Sequence, residues 1–489
     1  MACVADYWKV VVPTKSTAEL NAEDWLFVLP SFGSTEFVYL RTVAFTRLRL
    51  LFVSLVAHFC IGSFLAFVTL DDALDMYFYE RPTGQTRTTM LLSFVVFGLS
   101  AAVSGPFIER HSPRLGTGIG TAFVGVGYVL SQLSVSFHVE TLLPISFAFF
   151  CGTGFGIVLV AQVCAIQKWF PDFRGAISGL CMFSLGLGYT GVSLLYTAAL
   201  HRKGPYDPVT DVSSVPHVFW ATGIVVVPLL ILSWTVIRTP PVQRAKSRFN
   251  SRRISQSWHD YAVLQDDDGE MTDEKYFAQV KAMSLAQCIV SSDFVFLYVA
   301  FAANSLPGLI FATEVYDLAT GCFGASSETT NKLVLQGFLA NSIGRLVCPL
   351  VSDIFIRVFY WNPAFSRKAM FVGIMTMQLA MLALLARQEM TFETFRWMLC
   401  VIVFGTGGGF ALLPCFVTDI FGVYHAGTMY GLAMTCWSIR AVVAGYALDT
   451  FELTRTSMAS QFQWMLVLTA VGWLAIFFVR TTASSMAIN

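Results

Sequence analysis

Twelve apolar runs of roughly twenty residues dominate this chain, and no soluble fold hides that many. Six lie near 49–70, 89–109, 115–137, 141–165, 176–199 and 216–237, and six more near 292–313, 332–354, 368–387, 395–418, 428–448 and 461–480. Each is long enough to bridge about 30 Å of hydrocarbon as a helix, a form that satisfies its own backbone. Only 13% of the 489 residues are charged, while 55% are hydrophobic and 44 are Phe. So few charges cannot coat two or three soluble domains. The net charge is zero, which leaves no basic field to attract a nucleic acid. The expected fold class is all-α integral membrane, with twelve transmembrane helices in two pseudo-symmetric six-helix halves.

A polar stretch, 238–286, divides the runs six and six. It opens with Arg244, Lys246, Arg248, Arg252 and Arg253 and turns acidic at Asp266, Asp267 and Asp268. The expected organisation is an N-terminal segment 1–48, a first half 49–237, this central loop, a second half 287–480 and a tail 481–489. Most of the 31 Lys and Arg fall on the side of the termini and central loop, which predicts that this side is cytoplasmic. Asp6, Glu19, Glu23 and Asp24 make the start unlike a secretory or transit leader. The 11 Cys, among them Cys60, Cys164, Cys181 and Cys436, are scattered without a CxxC pair, so neither a disulfide framework nor a metal site is expected. No cofactor is expected either. GTGFG and the glycines Gly186 and Gly188 echo nucleotide loops but sit in apolar runs without a Walker Lys, and read as helix packing.

Two segments repeat. GTGFGIVLVAQVCAIQKWFPDFRGAISGL starts at Gly152, and GTGGGFALLPCFVTDIFGVYHAGTMYGL starts at Gly405. Gly152, Gly154 and Gly156 match Gly405, Gly407 and Gly409, while Gly175 and Gly179 match Gly427 and Gly431. Duplicated halves of this kind build many secondary transporters, with the substrate site between them near mid-membrane.

Two cations fall inside runs. Arg345 precedes Asp353 by about two helical turns, or about 12 Å. Arg440 lies about 12 residues into the eleventh run, roughly 18 Å deep. An Arg there costs about 2.5–3.5 kcal/mol and has to face a polar interior or a partner. The acids nearest in the pattern, Asp71, Asp72, Asp293, Glu314 and Asp449, stand at or near run ends. Neither Arg has a counterpart in the other half of the repeat. Two uncompensated guanidinium groups suit an anionic ligand, so Arg345 and Arg440 are the candidate binding residues. His58, alone among the His in standing well inside a run, is a candidate proton relay beside the plainer reading of a core His.

Further segments resemble a known family. Gly105-Pro106-Phe107-Ile108-Glu109-Arg110 after the second run and Ser352-Asp353-Ile354-Phe355-Ile356-Arg357 after the eighth resemble the acidic-then-basic loops of the major facilitator superfamily. Within it, Gln167-Lys168-Trp169-Phe170-Pro171-Asp172-Phe173-Arg174-Gly175 is similar to the KWFPDRRG loop of the oxalate:formate antiporter branch. Asn341-Ser342-Ile343-Gly344-Arg345 resembles that branch's NxxGR element, and Asp419-Ile420-Phe421-Gly422 with Tyr430-Gly431-Leu432 its loop into the eleventh span. The resemblance implies that Gly105, Glu109, Arg110, Asp353 and Arg357 are structural gate elements, and that Arg345 contacts a substrate carboxylate. Asn341 stands where the related monocarboxylate transporters carry a titratable Asp. Trp437 stands where the branch carries a Lys, and Arg440 follows one turn later.

The expected function is secondary active transport of a small organic anion, a mono- or dicarboxylate such as oxalate, formate, pyruvate or lactate, by alternating access. Arg345 and Arg440 would bind it, aided by Asn341. Trp437, Tyr189 and the Phe-rich first span would wall the site. The protein is expected to be a monomer in a plasma or organelle membrane, and not an enzyme. The alternatives are an amino-acid carrier of the same superfamily and a sensor with a transporter fold.

Overall fold

The computed structural model describes residues 15–30, 37–81, 83–202, 212–240, 285–386, 391–450 and 455–481. Most of the central loop and the tail after 481 lie outside them. Among the described residues ten helices are long and apolar enough to cross a membrane: Arg47–Tyr79, Gln85–His111, Pro113–Ser136, Pro144–Trp169, Pro171–Ala199, Val215–Val236, Ser327–Val358, Pro363–Leu385, Phe392–Phe421 and Ser460–Phe478. Two further long helices, Ser292–Asp317 and Ala426–Thr450, fall at the seventh and eleventh expected runs, and the last helix begins at Arg455. In chain order these are the first to twelfth helices.

Local chemistry places their ends. Pro113, Pro144, Pro171 and Pro363 open helices, where a missing N–H is harmless. Side-chain oxygens of Thr46, Ser112, Ser326, Asn362 and Thr391 cap first-turn amides. Gly422, at φ 81°, ends the tenth helix.

The first helix departs from expectation. Its apolar run ends near 70, yet the chain tightens into a 3₁₀ turn, Ala66–Leu70, and resumes as a helix over Asp71–Tyr79. Asp71 and Asp72 in the first turn of that extension suit the positive end of a helix dipole. Asp75 accepts from the amides of Thr83, Gly84 and Thr86, at 2.8, 2.5 and 3.0 Å, and so fastens the loop into the second helix.

The halves repeat one packing scheme. Helices one and five, two and four, three and four, and three and six pack together in the first half. Seven and eleven, eight and ten, nine and ten, and nine and twelve pack in the second. The halves meet chiefly along the second with the eleventh and the fifth with the eighth helices.

The N-terminal segment is structured where it is described. A short helix, Thr17–Ala22, leads to an antiparallel pair, Val28–Pro30 with Phe37–Tyr39. It docks on Arg238, 2% exposed, whose guanidinium donates to the carbonyls of Val236, Glu23, Trp25 and Leu26 at 2.5–3.0 Å and stacks over Phe45 at 4.3 Å. Lys15 reaches both Glu23 and the Thr239 carbonyl at 2.6 Å. Burial pulls the Arg238 guanidinium down to about 9. The four carbonyls hold it in place.

Candidate functional site

A cavity of about 160 Å³ lies between the halves. All five residues that the sequence marked for substrate, Arg345, Arg440, Trp437, Asn341 and Tyr189, line it. It extends to the helix ends at Asp71, Asp72, Arg87, Arg202, Val315 and Leu333, away from the face where Arg238 holds the N-terminal segment.

Arg345 is 6% exposed, and Asn341 one turn earlier orients it. The Asn341 Oδ1 accepts from Arg345 Nε at 2.9 Å while its Nδ2 donates to the Val403 carbonyl at 2.9 Å. The guanidinium also donates to the Met182 carbonyl of the other half at 3.3 Å and stands 5.0 Å over the Phe410 ring. Arg440, 9% exposed, donates to the Ser305 carbonyl at 3.1 Å and lies 4.4 Å over Trp437. Phe410 and Trp437 are themselves 5.1 Å apart, so one aromatic ridge carries a guanidinium at each end. Neither Arg has an acidic partner among the described residues. Each has five N–H donors, and these bonds occupy few of them. Buried without partners nearby are Arg440 Nε, Trp437 Nε1 and the Tyr430 hydroxyl. Unsatisfied donors around a positively charged cavity suit a ligand rich in acceptors.

The apolar wall differs from the sequence expectation. Leu65 and Val68 of the first helix face the cavity, joined by Met90, Leu91 and Phe94. Phe64 and Phe67 turn inward instead, in the core of the first half, Phe64 stacked on Phe97 and Phe147 and tilted against Phe155, and Phe67 stacked on Phe147. The helical register puts Leu65 and Val68 on one face and Phe64 and Phe67 on another, and a composition count cannot see that. His58 is fully buried, with Nδ1 2.8 Å from the Ser54 carbonyl, and is not among the residues lining the cavity. The sequence reading missed Phe410, Ser305, Arg87, Arg202 and Asp71. Arg87 and Arg202 resembled ordinary loop cations, while the Phe410 ring and the Ser305 carbonyl carry no signal a sequence displays.

On the opposite face the halves are clasped twice. Asp353, at the end of the eighth helix, accepts from the amides of Gly175 and Ala176 at 3.2 and 2.7 Å, the unsatisfied N-terminus of the fifth helix. Arg367 lies 2.5 Å from Asp353 and 3.1 Å from Asp419, and Asp419 also takes Arg174 of the first half at 2.8 Å. Arg357 donates to the Asp172 carbonyl and stacks on Phe173. In the second clasp Glu109 accepts from the Gly427 amide at 3.0 Å, opening the eleventh helix, and pairs with Lys168. Gly105 lets Thr428 approach, since a Cβ there would lie 2.7 Å from the Thr428 Cα. Arg110 stands in the last turn of the second helix. Each clasp joins a carboxylate of one half to a helix N-terminus of the other.

The two halves thus flank one cavity and are clasped to each other on one face. Comparison with known proteins identifies this architecture. The sequence model of the Major Facilitator Superfamily matches residues 50–445. The oxalate:formate antiporter of Oxalobacter formigenes is 25% identical over 360 residues, 73% of each chain. An uncharacterized MFS-type transporter, YhjX, of Escherichia coli (strain K12) is 22% identical over 399 residues, 81% of this chain and 86% of that one. Among solved structures, the proton:xylose symporter XylE bound to 6-bromo-6-deoxy-D-glucose has a similar fold, with TM-score 0.63 at 13% identity over 88% of this chain and 96% of that one. A bacterial homologue of the iron transporter ferroportin, in an outward-facing state, has TM-score 0.61 at 10% identity, covering 88% and 98%. On this evidence the chain belongs to the Major Facilitator Superfamily and is a multi-pass membrane transporter, not an enzyme.

Proposed function

We propose that this transporter carries small organic anions, mono- or dicarboxylates of the size of oxalate, formate, pyruvate or lactate, by alternating access. The observation that carries the reading is the pair of guanidinium groups, Arg345 and Arg440, lining one cavity without an acidic partner among the described residues. An arriving carboxylate supplies the charge and the acceptors that those donors lack, in a setting where a charge-assisted hydrogen bond is strong. The antiporter of Oxalobacter formigenes, named for oxalate and formate, supports the same cargo class. The Lys and Arg bias puts the clasped face in the cytoplasm, so the cavity faces outward in this conformation. Asn341 positions Arg345, and Trp437 with Tyr189 shapes the wall. The protein acts as a monomer.

The test is counterflow in proteoliposomes loaded with unlabelled oxalate, formate, pyruvate, lactate or a neutral amino acid. Labelled carboxylate is expected to accumulate, and Arg345→Gln to abolish that accumulation. Undiminished uptake by Arg345→Gln sinks the assignment. Faster counterflow of the amino acid than of any carboxylate moves the cargo to zwitterions, which Asp71 on the cavity wall would then serve.

A further inference from the structure

The antiparallel pair of the N-terminal segment is apolar on both of its faces. Val28 stands opposite Tyr39 and Leu29 opposite Val38, so successive pairs point to opposite sides. On one side Val28 is fully buried, and Leu26 packs with Leu50, Val53 and Val236 of the first and sixth helices. On the other side stand Leu29, Val38 and Leu40, and the last two are 64% and 57% exposed. A strand pair facing water turns polar residues outward. Bare aliphatic side chains in a row mark a contact surface instead.

The position of the pair says what covers that surface. The segment docks at the ends of membrane helices, where hydrocarbon gives way to headgroups. Glu23 lies 3.7 Å from Arg114, the second residue of the third helix, and Phe45 lies 4.9 Å from Trp169, the last residue of the fourth. Trp169 in turn donates to the Arg238 carbonyl just past the sixth helix. Backbone bonds from Leu40 to Phe27, Leu26 to Val43 and Phe45 to Asp24 carry the ladder on to Thr46, which caps the first helix. One turn apart on that helix, Leu48 and Phe52 are 68% and 65% exposed on a side that only lipid can cover.

Charge points the same way. From Phe37 to Leu50 the chain holds Arg41, Arg47 and Arg49, all exposed, and no acid. Arg47 faces Asp172 at 3.3 Å. Arg41 donates to the Tyr39 hydroxyl at 3.0 Å and lies 5.3 Å over its ring, while Arg49 donates to the Ala44 carbonyl. Those bonds use one or two of the five N–H donors on each. A phospholipid layer offers both things the surface lacks, an acyl boundary for the aliphatic row and phosphates for the donors.

We propose that this strand pair is an interfacial anchor on the clasped face. Leu29, Val38 and Leu40 rest at the boundary of headgroups and acyl chains, and Arg41 and Arg49 bind the phosphates of anionic phospholipids. The docking contacts named above all belong to the first half, so the anchor ties that half to the lipid surface. The proposal does not depend on which cargo is carried.

The experiment places an environment-sensitive fluorophore at Leu40→Cys in the full-length protein, in a Cys3→Ser, Cys400→Ser background whose unlabelled form supplies the blank. A label at exposed Ser16→Cys is the reference. Vesicles are phosphatidylcholine, with or without phosphatidylglycerol. Lipids brominated on the upper acyl chain are expected to quench the label at position 40, and aqueous iodide to quench it about threefold less than the reference. Phosphatidylglycerol is expected to deepen that protection, and Arg41→Gln with Arg49→Gln to erase the gain. Iodide access equal to the reference overturns the proposal. So does protection from iodide without quenching by brominated lipid, which means that protein covers the face. Loss of that protection on removing 245–280 then names the central loop, and its dependence on protein density names a second copy. No response to phosphatidylglycerol, or a response that Arg41→Gln with Arg49→Gln keeps, overturns it as well. Should Leu40→Cys fold poorly, the same label at Val38→Cys decides.

Discussion

The two halves share a packing scheme and almost no interior chemistry. The first is built around stacked phenylalanines, Phe64 against Phe97 and Phe147 at 5.6 and 5.3 Å, and offers the cavity an apolar wall. The second buries a polar cluster in the equivalent place. Gln378 donates to the Asn304 and Ile402 carbonyls and the Thr406 hydroxyl, and Asn304 donates to Gln378 and the Gly405 carbonyl. The two guanidiniums set within the spans, Arg345 and Arg440, project from this half, while Arg87 and Arg202 of the first half line the cavity only at the helix ends. Duplication thus supplied the scaffold, and divergence placed the two mid-span charges on one side of it. A moving interface tolerates this division, because a smooth apolar wall slides past a fixed binding patch without unpairing buried polar groups.

The clasps show the same asymmetry, and the largest expected effect tests it. Arg367→Ala removes the buried guanidinium that Asp353 and Asp419 share, leaving them only the Gly175 and Ala176 amides and Arg174, and is expected to cost about 3–5 kcal/mol of stability. Lys168→Ala leaves Glu109 with the Gly427 amide and is expected to cost less, about 1–3 kcal/mol. Thermal unfolding of the two purified variants checks the order, and equal losses would mean that the clasps are equivalent after all.

At the cavity, Arg345→Gln is expected to reduce carboxylate uptake at least 100-fold, which corresponds to about 2.7 kcal/mol. Asn341→Ala, which loosens Arg345 without removing it, is expected to reduce uptake about tenfold, mostly through a raised KM. Initial rates against cargo concentration separate the two. A first-half wall substitution, Leu65→Ala, is expected to change uptake less than either.

The paired glycines give a finer comparison. A Cβ on Gly175 would lie 2.6 Å from the Pro349 carbonyl, which is backbone and cannot yield. On Gly427 the closest atom is Glu109 Oε1 at 2.8 Å, on a side chain that can swing. Gly175→Ala is therefore expected to destabilise by about 1–3 kcal/mol and Gly427→Ala by less, as melting temperatures in detergent would report. Smallest of all, Phe97→Leu in the aromatic stack is expected to cost about 1 kcal/mol. A larger loss would show that the first half depends on ring stacking rather than on apolar volume.

Arg345 and Arg440 were legible because a charge inside an apolar run violates the hydrocarbon pattern, and that violation survives in any fold of the chain. The clasp residues Glu109 and Asp353 were legible as a repeated motif, although their partners, amides at the far ends of Gly175 and Gly427, carry no side chain to read. Asp71 was not legible. It follows the last apolar residue of its run, where a pattern reader sees a loop, and its place on the cavity wall comes from a 3₁₀ turn that carries the helix onward along the cavity. Arg238 looked like the first cation of a polar linker, but carbonyls from a segment more than two hundred residues earlier enclose it.

Hydropathy committed this chain to a membrane and to helices, since lipid offers a backbone few other ways to satisfy itself, and the repeated glycine segments added two similar halves. Which guanidinium meets which ring and which carboxylate caps which helix were settled when the halves packed. Those pairings join residues far apart along the chain, and they depend on ångström-scale helix register that no local pattern encodes.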